Sequence, residues 1–130
     1  MATNITPFSA MALALRLLRM PTLTVYNPGL ASINVQVDTG VAASILIWDN
    51  TTNNWAIDEN TQKPVDGSNH TTPTVISVTA GHNYTVWVQK SGYSFQVKNY
   101  PKDWSVTPQG DKAYGDAAEG VTYSIHFTSK

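Results

Sequence analysis

The sequence predicts an all-β protein, an antiparallel β-sandwich that is preceded by an apolar helical arm. From residue 22 onward, apolar and polar residues alternate in several short segments, and turn-forming residues separate those segments. Before residue 22 there is no such alternation, and apolar helix-forming residues run together instead. We therefore divide the chain into an arm, residues 1–21, and a sandwich domain, residues 22–130.

The arm is predicted to be a single buried helix. Thr6 and Pro7 are typical of a helix N-terminus, with threonine as the capping residue and proline at the first helical position. The segment Phe8–Met20 is almost entirely apolar, and Pro21 ends it. A helix that is apolar on nearly all sides needs cover from other parts of a protein.

Two kinds of cover are possible for this helix: its own sandwich, or a neighbouring subunit. We favour the neighbouring subunit, because a small sandwich does not need so apolar a helix to close it. The segment is shorter than the roughly 20 residues that span a bilayer, and its arginines follow the apolar stretch, whereas a signal peptide carries its charge first. The arm residues predicted to contact a partner are Phe8, Met11, Leu15, Arg16, Leu18 and Arg19.

The sandwich domain is predicted to contain eight or nine short strands. The clearest alternation places Tyr84, Val86 and Val88 in the core, and Ile76 and Val78 behave in the same way one strand earlier. The predicted strands are Thr22–Tyr26, Ser32–Asp38, Ala43–Asp49, Asn54–Asp58, Thr74–Thr79, Asn83–Lys90, Ser94–Lys98, Trp104–Thr107 and Val121–Thr128.

Two longer segments are predicted to be surface loops. Glu59–Thr72 is polar and contains Pro64 and Gly67, and Pro108–Gly120 contains three glycines.

Composition argues against several classes of function. The formal net charge of −1 gives no basic surface for nucleic acid. The absence of cysteine excludes a disulfide framework and a cysteine-based zinc site. Charged residues make up only 13% of the chain, so its polar surface must consist largely of Thr, Ser, Asn and Gln, a composition found in adhesive and assembly proteins and also in ordinary β-domains.

No motif for catalysis, a cofactor or a metal is present. His70, His82 and His126 are each predicted to be exposed structural residues, and no serine lies in a nucleophile-elbow motif. The carboxylates are scattered and lack calcium-loop spacing. We therefore predict a protein that is not an enzyme and binds no cofactor or metal. Two carboxylates, or a histidine–acid pair, in one pocket would favour an enzyme instead.

Tryptophan is the most informative residue type here, with four in the chain. Trp87 falls on the face opposite the inward residues of its strand, so we expect it to be covered by a second layer or to contact a partner. We include Trp87 among the predicted partner-binding residues.

Residues 75–93 resemble part of the carboxypeptidase-regulatory, transthyretin-like sandwiches. In that family a strand ends in a turn glycine, a tyrosine follows, and a Gly-Tyr pair closes the next strand. Gly81, Tyr84, Gly92 and Tyr93 match this pattern. The resemblance implies a seven-stranded immunoglobulin-like or prealbumin-like sandwich, usually a non-catalytic surface or spacer module.

The function predicted from these features is that of a structural protein of a virus particle. The chain resembles phage capsid cement and decoration proteins in its general character, and its arm would bind other virion subunits, with self-association, for example as a trimer, hiding its apolar face. Such a protein is made in the host cytoplasm, resides in the virion, and needs neither nucleic acid nor membrane as a partner. The alternative is a bacterial surface or adhesin module that binds carbohydrate through exposed aromatic residues.

Overall fold

A computed structural model describes residues 29–130, which form twelve β-strands and no helix. The predicted arm and the predicted strand Thr22–Tyr26 lie outside the described residues. The strands are β1 (Leu30–Val37), β2 (Ser44–Asp49), β3 (Asn54–Trp55), β4 (Ile57–Asp58), β5 (Lys63–Pro64), β6 (Asp66–Thr71), β7 (Thr74–Thr79), β8 (Asn83–Gln89), β9 (Phe95–Asn99), β10 (Ser105–Val106), β11 (Ala113–Asp116) and β12 (Thr122–Ser129). Residues 29–130 contain no helix long and apolar enough to cross a bilayer.

Most of the strands form two sheets. Sheet I has the order β7-β1-β12-β9. Sheet II has the order β10-β11-β8-β2-β3, and β6 pairs with β2 beside β3. A separate short ribbon joins β4 and β5.

The inward faces of the two sheets share one hydrophobic core. Alternation in β8 buries Tyr84, Val86 and Val88 and leaves the residues between them at the outer face, as the sequence predicts. From sheet I, Ile33 and Ile125 are fully buried in the same cluster. The prediction of an all-β fold built of antiparallel sheets is therefore confirmed, and the shared core is that of a sandwich.

One strand pair departs from the antiparallel pattern. β1 and β12 run parallel, with a register from Ser32 opposite Thr122 to Val37 opposite Phe127. A parallel pair cannot be joined by a tight turn and needs a long connection. Here nearly all of the described chain lies between the two strands.

The prediction of a surface loop over Glu59–Thr72 is wrong. The segment contains β5 and β6, and Val65 between them is fully buried. The amide of Val65 donates to the Ala56 carbonyl at 2.8 Å, and its carbonyl accepts from the Ile47 amide at 2.9 Å. Alternation does not reveal β6, because all of its residues except Gly67 are polar and none is a buried apolar residue.

The prediction of a loop over Pro108–Gly120 is wrong at its centre. β11 lies there, between β10 and β8 in sheet II. Its inward residues are Ala113 and Gly115, which are too small to give an apolar alternation. The Trp104 ring takes their place in the core: a Cβ atom on Gly115 would lie 2.4 Å from Cδ1 of Trp104.

Candidate functional site

Three tryptophans meet on the outer face of sheet II, and we call Trp48, Trp55 and Trp87 the tryptophan cluster. Strand pairing brings them together, since β2 and β3 place Trp48 opposite Trp55, and β2 and β8 place Leu46 opposite Trp87. The Trp48 and Trp55 rings are edge to face, with centroids 5.1 Å apart. Trp55 and Trp87 are tilted by 40° at 5.9 Å. All three side chains are half-buried.

Polar groups flank the tryptophan cluster. The Lys112 ammonium lies over the Trp87 ring, 5.4 Å from its centroid, in a cation–π contact. Nδ2 of the Asn50 side chain donates to Asn83 Oδ1 and to Thr85 Oγ1, both at 2.8 Å. These contacts hold the outer face of sheet II in one arrangement.

A cleft of about 460 Å³ opens beside Trp55, and we call it the Trp55 cleft. Its walls combine apolar side chains with carboxylate, imidazole, amide and hydroxyl groups. The lining residues are Asp49, Thr52, Asn54, Trp55, Ile57, Glu59, Pro64, Thr79, His82 and Tyr84.

Asp49 and His82 are hydrogen-bonded to each other in this cleft. Asp49 ends β2, and His82 follows Gly81, whose φ of 86° allows the tight turn into β8. Nδ1 of His82 lies 2.7 Å from Oδ2 of Asp49. Oδ1 of the same carboxylate accepts the amides of Thr51 at 2.9 Å and Thr52 at 3.1 Å. Asp49 therefore fixes both the hairpin turn and the orientation of the imidazole.

A second carboxylate, Glu59, lines the cleft. Its Oε2 accepts a hydrogen bond from Thr79 Oγ1 at 3.1 Å. Burial, and then the negative charges of Asp49 and Glu59, raise the pKa of the Tyr84 phenol, which donates to the Thr79 carbonyl at 2.6 Å. The acids thus give this end of the sandwich a negative field.

Comparison with family models, with curated proteins and with solved structures finds no match to this chain. What the site can do must therefore be argued from its own geometry.

Of the residues predicted to bind a partner, only Trp87 lies within the described residues. Its outward orientation on β8 is as predicted, and its ring contacts Trp55 and Lys112. Phe8, Met11, Leu15, Arg16, Leu18 and Arg19 lie outside the described residues. Whether any of these residues binds a partner stays a prediction.

The prediction that all three histidines are exposed is wrong: His82 and His126 are half-buried, and the departure is largest for His70. Only 7% of its side chain is exposed, and its Nε2 lies 2.8 Å from Oδ2 of the buried Asp58. Its Nδ1 is buried and has no hydrogen-bond partner among the described residues. The polar surroundings of His70 in the sequence hide this role, because the pairing depends on how β4 and β6 are placed in space.

The clustering of the site could not be predicted locally. Asp49 and His82 are 33 residues apart, and only the register of β2 against β8 makes them neighbours. Among residues 29–130, no three His, Cys, Asp or Glu side chains converge so as to hold a metal ion.

Proposed function

We propose that this protein is a structural protein of a virus particle, specifically a phage capsid cement or decoration protein. Its arm, residues 1–21, contacts neighbouring subunits, and the sandwich faces outward. Other virion subunits are its partners, and it self-associates, for example as a trimer. It is made in the host cytoplasm and resides in the virion.

Two observations together carry this proposal, the sequence of the arm and the core that the described residues form. The segment Phe8–Met20 is almost entirely apolar. Within residues 29–130, the two sheets already bury large side chains such as Phe127 and Ile47 completely between them. A segment this apolar needs cover from other protein surface, and we assign that surface to a neighbouring subunit.

Exposed apolar side chains near the start of the described residues support the same proposal. Leu30 and Val121 are 48% and 42% exposed. They lie close together, since the Gly120 amide donates to the Leu30 carbonyl at 2.9 Å and the Val121 carbonyl accepts from Ser32 at 3.0 Å. This apolar surface begins one residue after the first described residue, Gly29.

The residues that carry the transthyretin-like resemblance also have suitable positions. Gly81 and Gly92 both lie in turns with positive φ, at 86° and 84°. Tyr84 is buried, and Tyr93 stacks on Phe95 with ring centroids 5.8 Å apart.

The Trp55 cleft does contain a histidine–acid pair and a second carboxylate, the arrangement that would favour an enzyme. Asp49 accepts hydrogen bonds from the two turn amides and from His82, and these contacts would orient the imidazole equally in a structural pair and in a catalytic one. However, within the described residues, no hydrogen bond joins His82 to a hydroxyl group that it could activate. We therefore retain the non-enzymatic proposal.

The alternative proposal is a bacterial surface module that binds carbohydrate on exposed aromatic faces. The tryptophan cluster is the observation that favours it. On the outer face of sheet II its rings pack against one another and Lys112 lies over Trp87, so this face offers little flat aromatic surface. We therefore rank this function second.

Deleting residues 1–21 tests the assembly proposal. We expect the full chain to form an oligomer and the shortened chain to be a monomer, because the contact between subunits is assigned to the arm. Light scattering coupled to size-exclusion chromatography measures both masses. Equal masses for the two proteins would show that the arm has no such role.

The virion location is tested separately, by immunodetection of the protein in purified particles of the virus that encodes it. We expect the full chain in the particle fraction and the chain lacking residues 1–21 in the unassembled fraction. Recovery of the full chain only outside particles would contradict the virion proposal.

A further inference from the structure

We propose that the Trp55 cleft is a binding site for a neutral saccharide. This inference goes beyond the assembly role and concerns different residues from the arm. It rests on the volume of the cleft, on its aromatic wall, on the hydrogen-bonding groups that line it, and on their charge.

The dimensions of the cleft fit a small ligand. Its volume of about 460 Å³ lies within the range of about 300–1,000 Å³ that is usual for ligand pockets. Trp55 forms part of the wall, together with the apolar side chains of Ile57 and Pro64. An indole offers a rigid apolar surface against which the C–H face of a sugar ring can pack.

Trp55 is held in position by its neighbours. Its ring contacts Trp48 at 5.1 Å and Trp87 at 5.9 Å between centroids. The wall of the cleft therefore needs little reordering when a ligand binds, which lowers the entropic cost of binding.

His82 provides an oriented hydrogen-bond acceptor. Because its Nδ1 faces the Asp49 carboxylate at 2.7 Å, that nitrogen carries the proton in the neutral ring, and Nε2 is the acceptor. Nε2 has no hydrogen-bond partner among residues 29–130. It can accept a hydrogen bond from a sugar hydroxyl.

Three further side chains complete the polar set. The side-chain Oδ1 of Asn54 accepts a hydrogen bond from the backbone amide of Trp55 at 2.9 Å, which leaves the Asn54 Nδ2 group as a donor. Glu59 adds carboxylate acceptors, and Thr52 adds a hydroxyl that can donate and accept. Sugar hydroxyls both donate and accept, so a cleft with both kinds of group beside an aromatic wall fits a saccharide better than a purely apolar ligand.

Charge selects a neutral saccharide over an acidic one. The cleft contains two carboxylates, and none of the ten described residues that line it is lysine or arginine. A sialic or uronic acid would place a third carboxylate beside Asp49 and Glu59, and like charges at short distance are unfavourable.

The test is a titration of the ¹⁵N-labelled full chain with glucose, galactose, mannose and N-acetylglucosamine, followed by NMR. We expect at least one of these sugars to give saturable shifts at the amides of Asn54, Trp55 and His82. N-acetylneuraminic acid, at the same concentrations, should give none. Absence of saturable shifts with all four neutral sugars would overturn the proposal, and so would binding of the acidic sugar as tight as that of the neutral ones.

Two variants locate the site. Trp55→Ala removes the aromatic wall and Glu59→Gln removes a carboxylate acceptor, and each should weaken binding at least tenfold, which corresponds to about 1.4 kcal/mol. Glu59→Gln is nearly isosteric, so it tests the site even if Trp55→Ala unfolds. Thermal unfolding of each variant checks its fold.

Tyr100→Ala is the control, because Tyr100 is an exposed aromatic residue that neither lines the cleft nor contacts the tryptophan cluster. We expect its affinity to stay within twofold of the wild type. Loss of binding in Trp87→Ala with binding retained in Glu59→Gln would place the sugar on the outer face of sheet II and overturn the cleft proposal. None of these outcomes depends on the arm, so the assembly proposal is judged separately.

Discussion

Single residues decide which side chains their neighbours can have, and Trp104 is an example. Its indole lies over β11, and its Nε1 donates to the Asp116 carbonyl at 3.0 Å. The ring fills the space that a side chain at position 115 would need, so Gly115 is required here for space. The backbone conformation does not require glycine, since Gly115 is not among the glycines with positive φ.

We expect Gly115→Ala to destabilise the protein. Alanine is normally favoured over glycine in a strand by about 0.5–1 kcal/mol, but the added Cβ would overlap the Trp104 ring, and such overpacking costs about 1–3 kcal/mol. Urea unfolding followed by tryptophan fluorescence measures the net effect. Tyr114→Phe, on the outward side of the same strand, is the control and should change little. A stabilised Gly115→Ala variant would show that the ring can move away without cost.

The contribution of Asp58 to the stability of the fold depends on pH. Burial alone would raise the pKa of its carboxyl, but hydrogen bonds from His70 Nε2 at 2.8 Å and from the Asn60 amide at 2.9 Å outweigh burial and hold the pKa below its ordinary value. A carboxyl with a lowered pKa in the folded state adds stability above its unfolded-state pKa of about 3.9. That contribution is lost as the pH falls through the folded-state pKa.

We expect Asp58→Asn to lower the free energy of unfolding by about 1–3 kcal/mol near neutral pH, because the buried His70 loses its charged acceptor. The difference from the wild type should shrink as the pH falls below about 4. Urea unfolding between about pH 7 and pH 2.5 measures it. Asp103→Asn, in an exposed position, serves as the control. A difference that stays constant across this range would show that the carboxylate charge is not what stabilises the pair.

At the scale of the elements, the contact between Trp48 and Trp55 helps to hold the short strand β3 against the central strand β2. β3 has only two residues, and its register depends on Trp48 opposite Trp55 and Asp49 opposite Asn54. Edge-to-face aromatic pairs contribute about 0.5–1.5 kcal/mol beyond the area that they bury. The pair is therefore a main reason why this hairpin has a fixed geometry.

A double-mutant cycle with Trp48→Ala and Trp55→Ala should give a coupling free energy of about 0.5–1.5 kcal/mol in urea unfolding. The control cycle combines Trp55→Ala with Tyr100→Ala, an exposed residue elsewhere on the molecule, and should be additive. Coupling near zero for Trp48 and Trp55 would mean that the two rings are merely adjacent.

Strands with one apolar face could be predicted from the sequence, and strands without one could not. Thr74–Thr79 is predicted with the same bounds that the structure has, because Ile76 and Val78 alternate with polar residues. β6 has no such face, and β11 presents Ala113 and Gly115 to the core. Both segments are strands because they hydrogen-bond to neighbouring strands, β6 to β2 and β11 to β10 and β8.

The candidate site shows the same difference between what local alternation predicts and what depends on strand pairing. The outward position of Trp87 is a local property of β8 and could be predicted. Its contact with Trp55, and the Asp49–His82 pair, depend on strand register between distant parts of the chain. Local periodicity contains no information about that register, so the Trp55 cleft could not be predicted.

For the stability of the whole molecule, the critical strand is β12, the last of the described strands. β12 lies between β1 and β9 in sheet I and contributes the fully buried Ile125 and Phe127 to the core. Without it, β9 loses its only partner among the described strands, β1 keeps only β7, and the core loses these buried side chains. Pairing between the first and last described strands also makes the topology strongly non-local.

We expect a chain that lacks residues 122–130 to be unfolded, whereas a chain that lacks residues 1–21 should keep the β-sheet circular dichroism spectrum of the full protein. The reason is that, within residues 29–130, the core cluster extends to Phe127 and so includes β12. Circular dichroism and amide NMR dispersion measure both. A folded spectrum after loss of residues 122–130 would contradict the role assigned to β12.

The parallel pairing of β1 and β12 has a practical consequence. Both strands start at the same end of the sandwich, so Leu30 and Lys130 lie at opposite ends, separated by the length of β12, which is roughly 26 Å at about 3.3 Å per residue. A fluorescent protein or peptide epitope fused after Lys130 would therefore project from the end of the sandwich opposite Leu30. Such a fusion would leave the surface around Leu30 and Val121 accessible.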